Sequence, residues 1–112
     1  MQKIKMQMDI EKIANHYGVK QFEKAQEEIG ELTTALARFK QKTTPKHAAN
    51  LIEEIADVEI MLTHLKYLFD IEQQVDVVKL QKIERTLKRI KEEQEQGEKS
   101  RVKVRYTVRV AK

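Results

Sequence analysis

The chain has 112 residues, enough for one domain with a modest core, and few enough that its helices are expected to finish burying themselves against a second copy. Charged residues make up 36% and hydrophobic ones 40%, with one proline, three glycines and no tryptophan, a balance that suits a soluble helical protein and argues against a sandwich or a disordered chain. The absence of cysteine excludes disulfides and thiolate metal sites, and the net charge of +4 is unevenly spread: the six cations of residues 98–112 against Glu98 leave +5 there and −1 on the remainder, which disfavours a nucleic-acid-binding body.

Met1 to Met8 lack the apolar run of a signal peptide, and no later stretch approaches the roughly 18 uncharged residues of a membrane helix, so a cytoplasmic protein with no membrane partner is expected. A first short helix is predicted from about Asp9, as N-cap, to Tyr17, with Ile10, Ile13, Ala14 and Tyr17 on one face and Gly18 as the stop. A second spans roughly Lys20 to Lys42, its apolar residues Phe22, Ala25, Ile29, Leu32, Leu36 and Phe39 recurring at alternating three- and four-residue steps.

Thr43, Thr44 and Pro45 break the pattern, because proline disfavours helix in the residue before it and suits the first turn of the next. A third helix is predicted from about Lys46 to Phe69, and a fourth from beyond Asp70 through Ile83, Leu87 and Ile90, dissolving into the polar run around Gly97. Short connections favour antiparallel neighbours, so residues 1–97 are expected to form an all-α, four-helix bundle-like domain completed by homo-oligomerisation, as a dimer or tetramer. In the basic tail, 98–112, Val102, Val104, Tyr106, Val108 and Val110 alternate with polar residues, a strand pattern.

Acidic pairs spaced i, i+3 put two carboxylates on one helix face. About three such pairs are expected by chance among 18 acids, and the chain has four, so context must select among them. On a helical wheel at about 100° per residue, Glu54 falls inside the apolar arc of the third helix formed by Leu51, Ile55, Val58, Met61, Leu62, Leu65 and Phe69, with Asp57 at its edge. That helix also carries Ile52, Ala56, Ile60 and Tyr67 on its other side and is expected to be central, so its acids should be partly buried.

Buried carboxylates cost several kcal/mol unless paired or metal-bound, and two about 4 Å apart repel by about 4 kcal/mol at an effective dielectric of 20. A divalent cation resolves both penalties, and oxygen-only ligation suits Mg²⁺, with Mn²⁺ as an alternative, better than zinc. Glu28 and Glu31 flank the stripe of the second helix, where Gly30 would admit another backbone; the competing reading is a surface salt bridge using Lys24. Glu92, Glu95 and Glu98 read as a solvated face. Lys82, Arg85 and Arg89 on one flank of the fourth helix offer a strip for phosphate oxygens, or else an ordinary solvated flank.

These residues resemble the all-α nucleotide pyrophosphatases of the MazG type, whose hallmark is Glu-x-x-Glu on one helix and Glu-x-x-Asp on the next. Glu28-Ile29-Gly30-Glu31-Leu32 matches the first half and Glu53-Glu54-Ile55-Ala56-Asp57-Val58 the second, with 22 residues and a helix break between the pairs. Lys82-Ile83-Glu84-Arg85-Thr86-Leu87 is similar to the basic fourth-helix segment of small phage and Gram-positive members, and the likeness covers about residues 9 to 92.

The resemblance implies a Mg²⁺-dependent hydrolase that cleaves a nucleoside or deoxynucleoside triphosphate to the monophosphate and pyrophosphate. In that reading Glu28, Glu31, Glu54 and Asp57 hold the metal, and Glu28 or Glu31 also orients or deprotonates the attacking water. Lys82 and Arg85 bind the phosphates, and His16, Tyr17 and Gln21 are weaker candidates for a base pocket, each with an ordinary structural alternative. Two rival functions stay open: a non-catalytic dimerisation or adaptor bundle whose acids form salt bridges, and a nucleic-acid binder working through the tail.

Overall fold

The computed structural model describes residues 1–97, and the basic tail with its strand pattern lies outside them. Among the described residues every regular element is helical: α1 (Gln2–Tyr17), a 3-10 turn (Gly18–Lys20), α2 (Gln21–Gln41), α3 (Pro45–Phe69) and α4 (Glu72–Glu95). The all-α expectation is met, and none of these helices is long and apolar enough to cross a membrane. The chain divides into two compact units, one built on Met1–Asp70 and the other on α4.

Helix α1 begins seven residues earlier than expected. Asp9 is not its cap; it sits mid-helix and accepts from Lys5 Nζ at 2.7 Å, and Gln7 Nε2 reaches Glu11 Oε2 at 2.9 Å in the same i, i+4 relation. These side-chain pairs run along the helix surface and support the added turns. The stop at Gly18 holds, because that residue adopts φ 57°, a conformation favoured by glycine, and its N–H returns to the Ala14 carbonyl.

The break before α3 is built as the sequence suggests. Thr44 takes an extended conformation, its hydroxyl accepts from the His47 N–H at 3.2 Å, and Pro45 occupies the first helical turn. Asp70 closes α3 in the left-handed region at φ 56°.

Helix α3 is central to the first unit, packing against both α1 and α2. It runs antiparallel to α2: Gln21 bonds to His64, Phe22 stacks on Phe69 at 5.1 Å, and farther along α2 Glu28 and Glu31 meet Asp57 and Glu54. The backbones approach through small residues, since Ala14, Ala25, Ala35 and Ala48 are buried beside Val58 and Met61. Larger apolar side chains on the same helices are left about half exposed, among them Phe22, Ile29 and Leu36 on α2 and Ile55, Leu62 and Phe69 on α3. Each trio repeats every seven residues and so lies along one face of its helix.

Thr44→Ala should cost about 1 kcal/mol of stability, read from the midpoint of urea unfolding, because it removes the only side-chain cap on α3. An unchanged midpoint would show that Pro45 alone fixes this helix start.

Candidate functional site: a carboxylate cluster in the α2/α3 seam

The antiparallel register places a line of polar residues where α2 meets α3. Gln21 and His64 lie at one end, then Glu28 beside Asp57, then Glu31 beside Glu54. Seven-residue steps relate Gln21 to Glu28 and Asp57 to His64, so these side chains return to the same helix face two turns apart.

All four acids selected from the sequence are brought together, though their burial differs from the expectation. Glu54 and Asp57 are half-buried and Glu31 is exposed, whereas Glu28, expected on a flank, is the most enclosed at 5% exposure. The wheel of α3 alone did not show that the alanines of α2 draw α3 down over Glu28. One oxygen from each of Glu28, Glu54 and Asp57 lies within 4.8 Å of the others, and Glu27, Glu28 and Glu31 form a second such group. Oxygens sharing one hard ion sit at most about 4–5 Å apart, so small side-chain rotations suffice to close either set on a cation.

The surface bridge envisaged as the alternative is also present, since Lys24 Nζ lies 3.0 Å from Glu28 Oε1. It satisfies one oxygen only. Glu28 Oε2 and Glu54 Oε2 are buried with no hydrogen-bond partner, an arrangement whose cost a cation would remove. Burial raises Glu54 above the ordinary carboxylate value, and Glu31, Glu28 and Asp57 push it further. Asp57 is raised by burial and then by Glu28 and Glu53, with Lys24 opposing. Glu28 in turn raises Lys24 by accepting its hydrogen bond.

Two clefts flank the cluster. The first, about 610 Å³, is lined by Ile13, Tyr17, Gln21, Ile60, Met61 and His64 together with the charged Lys20, Glu23, Lys24, Glu27 and Asp57, and its surface is mostly apolar. The second, about 450 Å³, is polar and is lined by Gly30, Glu31, Thr34, Arg38, Asn50 and Glu54. Gly30 does not admit a neighbouring backbone as anticipated: a Cβ there would meet nothing within 4 Å, and the residue lines this second cleft instead.

The remaining sequence candidates separate. Tyr17 and Gln21 line the first cleft, but the Gln21 amide is committed to His64 Nδ1 at 2.8 Å. His16 is exposed and turned edge-on to the Tyr17 ring at 4.8 Å. Lys82 and Arg85 are exposed on α4, where Lys82 borders a shallow groove of about 260 Å³ with Ile83, Thr86 and Leu87. Glu92 and Glu95 are solvated as expected.

His64, Arg38 and Asn50 were not singled out as site residues from the sequence, yet each lies a whole number of heptads from a selected acid: His64 and Asn50 seven residues either side of Asp57, Arg38 seven beyond Glu31. That offset was the available signal. His64 is fully buried, and burial lowers its pKa below the ordinary value with the Ile10 backbone partly opposing. Its neutral form is therefore the one the fold favours. Comparison with protein-family models, with curated proteins and with solved structures finds no match to this chain.

The raised carboxylates have a definite pH signature. A folded pKa above the unfolded one means that the metal-free fold binds protons more tightly than the open chain, so these groups cost stability as pH rises through the raised values and cost nothing below the ordinary carboxylate range. His64 acts in the opposite sense, losing stability as pH falls below about 6.5. Comparing the wild type with Glu54→Gln removes that shared contribution. In chelator at pH 7.5 the variant should melt at the higher temperature, with its advantage fading as pH falls through the carboxylate range. Mg²⁺ or Mn²⁺ at a hundredfold excess over Kd should stabilise the wild type by about 2.7 kcal/mol. A wild-type melting curve indifferent to both ions would remove the case for a metal site.

Proposed function

We propose that this chain is a Mg²⁺-dependent nucleoside triphosphate pyrophosphohydrolase of the MazG type, acting as a homo-oligomer. The observation that supports this most is the pair of buried, unpartnered oxygens on Glu28 and Glu54, which converge with Asp57 from two antiparallel helices between an apolar cleft and a polar one. The clustered donor set is all oxygen, and the His64 imidazole, bonded to Gln21 through Nδ1, is not part of it, so the residues fit a hard divalent ion. A bound Mg²⁺ would supply charge neutralisation for the triphosphate and acidify the attacking water.

In this reading Glu28, Glu54 and Asp57 anchor the ion from the seam, and Lys24 holds Glu28 in place through its other oxygen. Glu31 is exposed beside them and, among the described residues, is in no salt bridge, which suits it to accept the proton of the attacking water as the α–β anhydride bond opens. Pyrophosphate leaves with the bonding electron pair, and the nucleoside monophosphate retains the new oxygen. The first cleft, with Ile13, Tyr17 and Met61, suits a nucleobase, and Lys82 and Arg85 remain proposed phosphate contacts. The Lys24–Glu28 bridge is what a non-catalytic adaptor bundle would use, but that reading leaves both buried oxygens unexplained.

Pyrophosphate release measured across a panel of canonical and modified triphosphates, with and without Mg²⁺, tests the proposal. Metal-dependent release is expected from at least one of them, with Glu28→Gln and Glu54→Gln folded and slower by on the order of 10²-fold or more. Absence of release from every triphosphate, with Mg²⁺ or Mn²⁺, would overturn it.

Homo-oligomerisation is supported by the paired stripes of Phe22, Ile29 and Leu36 and of Ile55, Leu62 and Phe69, which together present the kind of apolar face that a second hairpin of the same shape would cover. Sedimentation should give a multiple of the 13.2 kDa chain mass, and Ile29→Glu with Leu62→Glu should shift it toward a single chain. A wild-type protein sedimenting as one chain would refute this part.

A further inference from the structure

The polar cleft contains a cation that the proposed mechanism does not use. Arg38 shares the cleft with Glu31 and Glu54 but forms no ion pair with either; among the described residues the salt bridges are Lys5–Asp9 and Lys24–Glu28. Three positions on α2, Glu31, Thr34 and Arg38, recur at steps of three and four and so lie along one stripe. Opposite them on α3, Asn50 stands one turn before Glu54, half-buried and with no hydrogen bond to its amide. The Thr34 hydroxyl already donates to the Gly30 carbonyl at 3.2 Å, which leaves Arg38 and Asn50 as the side chains in the cleft with donors to spare. Gly30 keeps the space before them open.

A guanidinium lining one cleft with carboxylates can close on one of them. Here it forms no salt bridge with either acid, although Arg38, Glu31 and Glu54 line the same cleft. What fits there is a group that meets a cation on one side and, through a divalent ion, carboxylates on the other. We propose that Arg38 and Asn50 form an oxyanion subsite that binds the phosphate end of a ligand bridged by metal to the carboxylate cluster. The inference rests on the reading of that cluster as a divalent-ion site. It assigns phosphate recognition to α2 and α3 themselves, in addition to any contribution from Lys82 and Arg85. Arginine suits the role because its planar fork meets two phosphate oxygens at once.

Calorimetric titration with inorganic pyrophosphate, in the presence and absence of Mn²⁺, tests it on the full chain, with Mn²⁺ binding alone followed by electron paramagnetic resonance. Wild-type protein should bind pyrophosphate only when Mn²⁺ is present, since the bare acids repel it. Arg38→Ala should weaken that binding by about tenfold to a hundredfold while Mn²⁺ affinity is retained, Arg38→Lys should fall between, and Asn50→Ala should lose less than Arg38→Ala. Arg38 is exposed, so the variants should keep the wild-type helical circular dichroism. Pyrophosphate bound equally well by Arg38→Ala and wild type, or lost only on replacing Lys82 and Arg85, would overturn the subsite and leave the metal site standing. Loss of Mn²⁺ binding in Arg38→Ala would make the residue structural and overturn the subsite as well. A wild type that binds neither Mn²⁺ nor pyrophosphate would overturn both readings.

Discussion

Two helices can approach closely only where their facing side chains are small, and the α2/α3 seam is set by that constraint. Ala25, Ala35 and Ala48 bring the backbones together, and the space they leave encloses Glu28, whose stem and head would otherwise reach water. Enclosure has a direct electrostatic consequence. Glu28 keeps one oxygen paired with Lys24 and one unpartnered, and Glu54 and Asp57 are pushed toward their protonated forms by burial and by each other's charge. A fold that only needed stability could relieve this by placing apolar residues at these positions.

The clefts follow from the same packing. On one side of the acids the neighbours are Ile13, Tyr17, Ile60 and Met61, and the buried Gln21–His64 pair closes the floor with a hydrogen bond between helices. Beyond the acids, Gly30 contributes no side chain and the lining turns polar. An apolar recess and a polar one on opposite shoulders of a carboxylate cluster provide separate environments for the two halves of an amphipathic phosphate ester. That division supports the proposed substrate class.

Packing through alanines also leaves the large apolar side chains without cover. Phe22, Ile29, Leu36, Ile55, Leu62 and Phe69 would normally supply much of the core of a domain this size, and here they are among its exposed residues. The same two helices therefore carry both the carboxylate seam and the exposed apolar stripes. In the proposed oligomer, a second hairpin would bury those stripes and hold the helices that carry the acids.

The sequence by itself determined the helical class, the break at Thr44 and Pro45 and the stop at Gly18, because each depends on local chemistry: capping, proline sterics and backbone freedom. Local chemistry also misled at Asp9, where a residue suited to capping joined an i, i+4 pair inside a longer helix. Tertiary structure alone decided that Glu28 is the enclosed acid, that Gln21 bonds to His64 across the two helices, and that Gly30, Arg38, Asn50 and Glu54 line one cleft. Those facts depend on the register between two helices, and register is set by how side chains on both of them fit together, which no single helix records in its own periodicity.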